Sequence, residues 1–522
     1  MCGIVGYVGP DQALPIVIEG LRRLEYRGYD SAGVAVTNGD ITVVKRAGKL
    51  SELESALAGD ARPRGTVAMG HTRWATHGAP NDLNAHPHLD CSGRIAVIHN
   101  GIIENFQVLR DRLLKGGHTF VSETDTEVVA HLIEETDEGD LAEAVRRTAR
   151  QLTGAYSLVV TSAGDPDVIV GVKVSSPLVI GLGKGENMLA SDIAAVMQKT
   201  KTVVPVLENQ VVEVRAGGVR ITDLEGEEMP LEPIEVEWDL AAAVKGGYPD
   251  FMLKEIHEQP DGIRDTLRAR IDSRGRLALD ELQVSEAQIE SVNSVFVVAC
   301  GTAFHSGMVA KYAIEHWVRL PVQIEIASEF RYRDPVLDSN TLTLGVSQSG
   351  ETIDTLEAVR HARAQGSRVI AITNTVGSSI TREADGVLYT HAGPEICVAA
   401  TKTFATQMTA LYLLALYLAQ VRGSLFPLEI AGSLDALQSL PGAVEEALGL
   451  NDQVRALAER YADRPDIIFI GRHTGYPAAL EGALKLKELS YVHAEGYPAG
   501  ELKHGPIALI EPGVPVVAVA TQ

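Results

Sequence analysis

The stretch Cys2-Gly3-Ile4-Val5-Gly6, directly behind Met1, decides how the first part of the chain is read. Removal of Met1 would leave a thiol and a free α-amino group on one residue. An α-amino group titrates near pH ~8 and a thiol near ~8.5, so through a bound water the amine can take the proton from sulfur without a sequence-distant partner. The same stretch also fits a buried cysteine opening a strand, since free cysteine packs like a small apolar residue. Later segments decide between the two.

Working outward, short β-branched runs at 34–36, 41–44, 95–98 and 157–160 alternate with Gly and Asn turns and predict a layered sheet domain over residues 2–235. The pattern breaks at Trp238, where Ala241-Ala242-Ala243 and Lys245-Gly246-Gly247-Tyr248-Pro249 precede a polar amphipathic stretch from Phe251 to Arg274. Residues 236–285 therefore read as a hinge with connecting helices. Beyond Val292 the texture is strand, Gly-containing turn, helix, strand, which predicts doubly wound parallel α/β sheets.

This second part reads as a tandem repeat. A first copy over 286–425 contains Val295-Phe296-Val297-Val298, the turn Cys300-Gly301-Thr302, Glu325 to Phe330 and the strand Leu342 to Val346. A second copy over 455–522 contains Ile467 to Ile470, the turn Gly471-Arg472-His473-Thr474 and a helix through Lys485. Ala494-Glu495-Gly496-Tyr497 is expected to mirror Ala327-Ser328-Glu329-Phe330, and Val516 to Val519 supplies the matching strand. The sequence stops before the counterparts of the first copy's last strands and helices, so this copy reads as truncated.

At 522 residues the chain exceeds one core, and three to four domains are expected at ~150 residues each. A formal net charge of −23 excludes nucleic acid as the main partner, because phosphate backbones demand clustered Lys and Arg. It also requires any anionic substrate to be held by local donors such as helix N-termini and hydroxyls. Cys2, Cys91, Cys300 and Cys397 are scattered without a CxxC pair, which reads as a reducing cytoplasm. The apolar run Ala410 to Ala419 is shorter than the ~18 to 20 residues of a membrane span and reads as a buried helix, with no membrane partner. No metal-ligand cluster is legible, and no cofactor is expected.

Three constellations bear on Cys2. In His71-Thr72-Arg73-Trp74-Ala75-Thr76-His77-Gly78, Arg73 can clamp a carboxylate bidentately, or be a surface arginine beside a core tryptophan. His99-Asn100-Gly101 ends a strand in an Asn-Gly pair that fits either a plain turn or an oxyanion hole. Ser122 to Glu127 reads as a helix start, in which Asp125 can also bind an α-ammonium group.

Together with Arg27-Gly28-Tyr29-Asp30-Ser31 and Asn84-Ala85-His86-Pro87, these segments resemble the glutaminase domain of the N-terminal-nucleophile (class II) glutamine amidotransferases, an α+β four-layer fold. The resemblance implies that Cys2 is the nucleophile that frees ammonia from L-glutamine, and that Asn100 and Gly101 form the oxyanion hole. It assigns Arg73, Trp74, Thr76, His77, His86 and Asp125 to the glutamine site, with Trp74 also gating a dry passage for ammonia.

Ser347-Gln348-Ser349-Gly350-Glu351-Thr352 follows an apolar strand and precedes a helix, so hydroxyls and helix N–H groups converge where a phosphate can sit, or simply cap the helix. The loop is similar to the sugar-phosphate loop of the sugar isomerase (SIS) domains, and Cys300-Gly301-Thr302, Val398-Ala399-Ala400-Thr401-Lys402 and Glu495 to Pro506 fit two such domains in tandem.

A glutaminase domain joined to tandem SIS domains resembles the amidotransferase family that converts fructose 6-phosphate and glutamine into glucosamine 6-phosphate and glutamate. The resemblance implies phosphate contacts from Ser347, Gln348, Ser349 and Thr352, with Thr302 and Val398 at the sugar. It makes Glu488 the proton shuttle, with Lys485 as the nearby cation one helical turn away on the same face, and His504, reaching in from the second subunit of a homodimer, the group that opens the sugar ring. The family pattern has Ser where this chain has Ala303 and Ala400, so weaker phosphate binding is expected. The family's Schiff-base lysine has no counterpart in the sequence, so a glutaminase with impaired synthesis, or a sugar-phosphate sensor, is a second reading. Another acceptor such as phosphoribosyl diphosphate is disfavoured by the Ser347–Thr352 loop and the repeat.

Overall fold

Strand Gly3–Val8 is buried along its whole length, and its alternating side chains serve two different cores. Ile4 and Val8 face Ile98, Val159 and Ile169 of a second sheet, whereas Val5 and Tyr7 face helices that pack on the outside. That period-two division on a central strand is what two stacked sheets with helices on each outer face require. In the computed structural model, which describes residues 2–25, 28, 30–58, 62–73, 78–174, 176–236, 247–272 and 275–521, the chain divides into two compact units at about residue 243.

The first unit has four layers. One sheet runs in the order Ile234–Glu235, Thr202–Pro205, Val179–Leu182, Asn187–Ala190, Gly3–Val8, Val67–Arg73, Ser31–Asn38, Asp40–Ala47. The other runs Glu228–Met229, Gly218–Asp223, Gln210–Arg215, Asp165–Val174, Gly154–Ser162, Ile95–Ile103, His88–Leu89, and every pairing in both sheets is antiparallel. Helices Ala13–Leu24 and Leu50–Ala56 cover the first sheet, while Phe106–Lys115, Glu127–Thr136 and Leu141–Ala149 cover the second. Each buried Val, Leu or Ile in these three interfaces contributes about 1.5–3 kcal/mol.

In the second unit, Ser294–Ala299, Val322–Ile326, Thr341–Val346, Arg368–Thr373 and Gly386–Tyr389 form a parallel sheet in the order second, first, third, fourth, fifth. Helices Gly301–Trp317 and Lys402–Arg422 cover one face, and Ala327–Arg333 and Ile353–Ala364 the other. Lys402–Arg422 is the one described helix long and apolar enough to cross a membrane, yet Ala410, Leu411, Leu413, Leu414 and Leu418 are wholly buried within the unit.

The repeat is visible as a second parallel sheet, in which His493–Pro498, Asp466–Gly471 and Val516–Val519 again take the order second, first, third, with helix Gly475–Ser490 as the first crossover. One expected correspondence fails. Ala327 to Phe330 is helical, whereas Ala494 to Tyr497 lies inside the strand His493–Pro498. Within that strand, a side chain at Gly496 would meet Leu480 of the crossover helix at 2.9 Å, so glycine lets the helix lie directly on the strand. The stretch from Phe251 is likewise two helices, Phe251–His257 and Gln259–Leu267, separated where Pro260 opens the second.

Truncating Leu414, fully buried between sheet and helix, to Ala is expected to destabilise the second unit by about 2–5 kcal/mol. Hydrogen–deuterium exchange should then rise across residues 286–425 and not in 2–235; equal rises in both would contradict separate cores.

Candidate functional site

Cys2 stands immediately before strand Gly3–Val8, at the end where that strand and its antiparallel neighbour Val67–Arg73 are paired as Gly3 with Thr72. Asn100 and Gly101 come from the other sheet, on Ile95–Ile103. The two sheets meet here through polar groups. The Asn100 side-chain amide donates to the main-chain carbonyl of Cys2 at 3.0 Å, and its carbonyl oxygen accepts from His71 Nε2 at 2.9 Å. Because Oδ1 can only accept, His71 must carry its proton on Nε2, and that bond turns the Asn100 –NH2 toward Cys2. Complete burial pushes the His71 imidazole down to about 3, so it stays neutral. Gly101 has φ +119°, and a Cβ there would lie 2.0 Å from the Ala155 carbonyl oxygen, so only glycine presents its backbone at this point.

Arg73 closes its strand with its side chain buried, and Nη2 donates to the Gly78 carbonyl at 3.3 Å. Burial lowers the affinity of its guanidinium for its proton, and the charges of Asp30, Cys2 and Asp125 oppose that effect. Asp125, also buried, accepts from the Ile103 N–H at 2.8 Å, which ties it to the strand of Asn100. The turn carrying Asp125 is held by Glu127. Its oxygens accept from the N–H groups of Val121 and Ser122 at 2.7 Å and from the Ser122 hydroxyl at 2.5 Å. Burial works against ionisation of Glu127, but the nearby His131 imidazole and bonds from Ser122 and these N–H groups outweigh it and hold the carboxyl down at about 2.

His86 is placed differently from the expectation. Its Nδ1 accepts the His99 N–H at 3.3 Å and its Nε2 bonds Thr126 Oγ1 at 3.1 Å, so both ring nitrogens are committed inside the protein. Its ring lies 4.2 Å from that of His71 and 4.8 Å from that of His88, so it supports the site from beneath rather than facing a ligand. Trp74, Thr76, His77, Arg27 and Tyr29 lie outside the described residues.

In the second unit, the ends of Ser294–Ala299 and Thr341–Val346 sit side by side, with Ala299 paired to Val346, at the point where the strand order reverses. Ligands of open parallel sheets bind in the crevice that such a reversal leaves. Thr302 and the loop Ser347 to Thr352 both emerge here. The Ser347 hydroxyl lies 3.0 Å from that of Thr352 and accepts the Gly350 N–H at 3.1 Å, ahead of helix Ile353–Ala364. Gly350, at φ +65° with Ser378 Oγ 2.1 Å from where a Cβ would stand, lets the loop fold this tightly.

Thr302 is also joined to the second copy. Its hydroxyl donates to Glu481 at 2.9 Å and accepts from Lys485 Nζ at 2.9 Å, while His305 Nδ1 donates to the other Glu481 oxygen at 2.7 Å. Lys485 is paired with Glu488 at 2.6 Å. Burial opposes ionisation of Glu481, and the bond from His305, the charge of Lys485 and the bond from Thr302 overcome it, holding its carboxyl below the usual range. Glu481 and His305 carry no motif; spacing of one helical turn, from Lys485 for Glu481 and from Thr302 for His305, is their one sequence signal. Val398 is 54 % exposed, and His504 lies exposed on the short turn Leu502–His504 with no ring hydrogen bond among the described residues. Lys402 is buried and donates to Glu258 at 2.8 Å, which takes it away from any ligand.

Two family models match the chain: the glutamine amidotransferase domain over residues 58–222, and the SIS domain over 288–417 and again over 460–522. Over 522 residues it is 58 % identical to glutamine–fructose-6-phosphate aminotransferase (isomerizing) of Streptomyces coelicolor, covering 99 % of this chain and 85 % of that one. The enzyme of the same name from Mycobacterium tuberculosis is 54 % identical over 533 residues, with the same coverage. Among solved structures, the C-terminal domain of glucosamine-fructose-6-phosphate aminotransferase from Francisella tularensis is 44 % identical, with a TM-score of 0.51 over 53 % of this chain and 77 % of that chain.

Burial also lowers His86 and His88 well below the usual imidazole range, with His71, His99, Lys45 and Arg73 adding repulsion and Glu127 opposing it at His88. Three histidines are thus neutral when folded and free to protonate near pH ~6.5 when unfolded. The unfolded chain binds more protons below that pH, so stability of the first unit falls as pH drops from about 6.5 toward 3. Urea unfolding should show that slope between pH 7 and 5; a flat profile would refute it.

Proposed function

The chain belongs to the family of glutamine–fructose-6-phosphate aminotransferases (isomerizing), and we propose that it makes glucosamine 6-phosphate and glutamate from fructose 6-phosphate and L-glutamine. The observation that carries this reading is the Asn100 amide aimed at Cys2 and locked there by a neutral His71. After loss of Met1, the Cys2 amine accepts the thiol proton and the sulfur attacks the glutamine amide carbon. As the C–S bond forms, negative charge gathers on the amide oxygen, where the second Asn100 N–H and the Gly101 N–H stabilise it; one such donor is worth ~3–4 kcal/mol. The C–N bond then breaks, ammonia leaves with the proton held by the amine, and water hydrolyses the thioester to glutamate. Arg73 suits the glutamine carboxylate and Asp125 its ammonium group, two charges already disposed around Cys2.

In the second unit we assign the phosphate to Ser347, Ser349 and Thr352, with Gln348 beside them. Ammonia condenses at C2 of the open-chain sugar, and a proton must then pass from C1 to C2, which needs a carboxylate that can accept and return it. Glu488, beside Lys485, has that role. The exposed position of His504 favours its use across the interface of a homodimer, and the exposed apolar row Leu450, Val454 and Leu457 supports a partner surface. The absence of a disulfide among the described cysteines favours a cytoplasmic setting.

Cys2→Ala should abolish both glutamate and amino sugar, while Glu488→Gln should remove the amino sugar and leave glutamate release measurable. Amino sugar made from glutamine by Cys2→Ala would overturn the reading. Asn100→Ala should lower kcat for glutamine hydrolysis by ~10²–10³-fold with little change in KM, and His71→Leu should lower it less, in the same parameter.

A further inference from the structure

Away from Cys2, four donor side chains from three separate segments of the first unit converge. Cys91 sits in the turn after strand His88–Leu89, His118 in the segment after helix Phe106–Lys115, and His131 and Glu134 on helix Glu127–Thr136. One ligand atom of each lies within 4.8 Å of all the others. We propose that Cys91, His118, His131 and Glu134 form a four-coordinate zinc site.

The distances support an ion in the centre. Cys91 Sγ is 3.5 Å from His118 Nδ1 and 3.5 Å from His131 Nδ1, and Glu134 Oε2 is 3.0 Å from His118 Nδ1 and 3.3 Å from His131 Nδ1. A tetrahedron with Zn–S ~2.3 Å and Zn–N or Zn–O ~2.0 Å sets sulfur about 3.5 Å from nitrogen and nitrogen about 3.3 Å from oxygen. The four edges fit that geometry. A thiolate with two imidazoles and a carboxylate selects zinc over magnesium or calcium, and four protein ligands make a closed, structural site.

The surroundings carry the second signature of such sites. Metal-bound imidazoles direct their other nitrogen at a carboxylate or carbonyl. His131 Nε2 lies 3.7 Å from Glu127, and His118 Nε2 lies 3.5 Å from Glu135. The Thr119 N–H donates to the sulfur at 3.5 Å, and the Cys91 N–H donates to Glu134 Oε2 at 3.2 Å. His131 is buried, while Cys91 is exposed and leaves an entry path. The ion would brace the Asp125 turn through His131 and Glu127, because Glu127 also holds the Val121 and Ser122 N–H groups.

The test uses the full chain carrying Cys2→Ala, so that the N-terminal thiol cannot bind the metal. After incubation with Zn²⁺ and dialysis, elemental analysis should find one zinc per chain, and Cys91→Ser and His118→Ala should each lose it. Co²⁺ in place of zinc should give a thiolate-to-cobalt charge-transfer band with intense tetrahedral d–d bands. The cobalt spectrum reads the site with Cys91 intact, so a Cys91→Ser chain that misfolds does not decide the matter. Glu135→Gln, which meets His118 at its outer nitrogen and otherwise pairs with Arg112 away from the four donors, should weaken zinc by ~10–100-fold. A Cys2→Ala chain that retains no zinc and gives octahedral cobalt spectra would overturn the proposal, as would a folded Cys91→Ser chain that binds zinc equally well.

Discussion

The first unit depends on a polar clasp at one end of two sheets whose shared face is mainly apolar packing. Ile4, Ile98, Val159 and Leu189 fill the space between them. At the end of that space His71 from one sheet meets Asn100 from the other, and Asn100 reaches back to the residue that opens the first strand. A broken link in such a buried chain costs about 1–3 kcal/mol, because the orphaned group has no water to turn to. Burial therefore does two things at once. It keeps His71 neutral, with its one proton on Nε2 committed to the Asn100 oxygen, and it forbids Asn100 from turning over. The donor geometry at Cys2 is thus a consequence of sheet packing, set before any ligand arrives.

In the second unit the corresponding constraint is the reversal of strand order. Two crossovers leaving in opposite directions from adjacent parallel strands open a crevice, and the loops after Ala299 and Val346 line it. The hydroxyls of Ser347 and Thr352, 3.0 Å apart at the start of a twelve-residue helix, offer an anion neutral donors and the positive end of the helix dipole. A chain of net charge −23 has little general attraction for a phosphate, so local dipoles must supply it. Glu481 ties this crevice to the second copy through Thr302 and His305, so the copies share one polar cluster.

Residues that act through local chain geometry were legible in the sequence. Cys2 at the start, Asn100-Gly101 at a strand end and the Ser347–Thr352 loop between strand and helix all declare themselves by neighbours a few positions away, and so did the four-layer and doubly wound folds. Residues that act through register were not legible. His71 matters because strand Val67–Arg73 brings it opposite Asn100, 29 residues on. Glu481 matters because a helix of the second copy meets Thr302, 179 residues earlier. The donors around Cys91 are 27 and 40 residues from it in His118 and His131, a spacing no metal-site pattern contains. His86, read from a motif, turned inward because both of its ring nitrogens found partners in the fold.

The surroundings of Lys485 explain how two carboxylates on one helix can divide their work. Glu481 is buried, and each of its oxygens accepts a bond, one from Thr302 and one from His305. Those bonds stabilise its charged form, so taking up a proton would break both of them. Such a group holds Lys485 and Thr302 in place and is poorly suited to exchange protons. Glu488 lies two turns further along at the exposed rim and is joined to Lys485 by a single ion pair. Protonating it disturbs one contact with a flexible lysine, and Lys485 can remain with Glu481, 3.4 Å away, while it does so. A group that must accept a proton at one carbon and return it at the next needs that low cost in both directions. Burial on one side of Lys485 and exposure on the other therefore suit Glu481 to the anchor's part and Glu488 to the carrier's part in the proposed reaction.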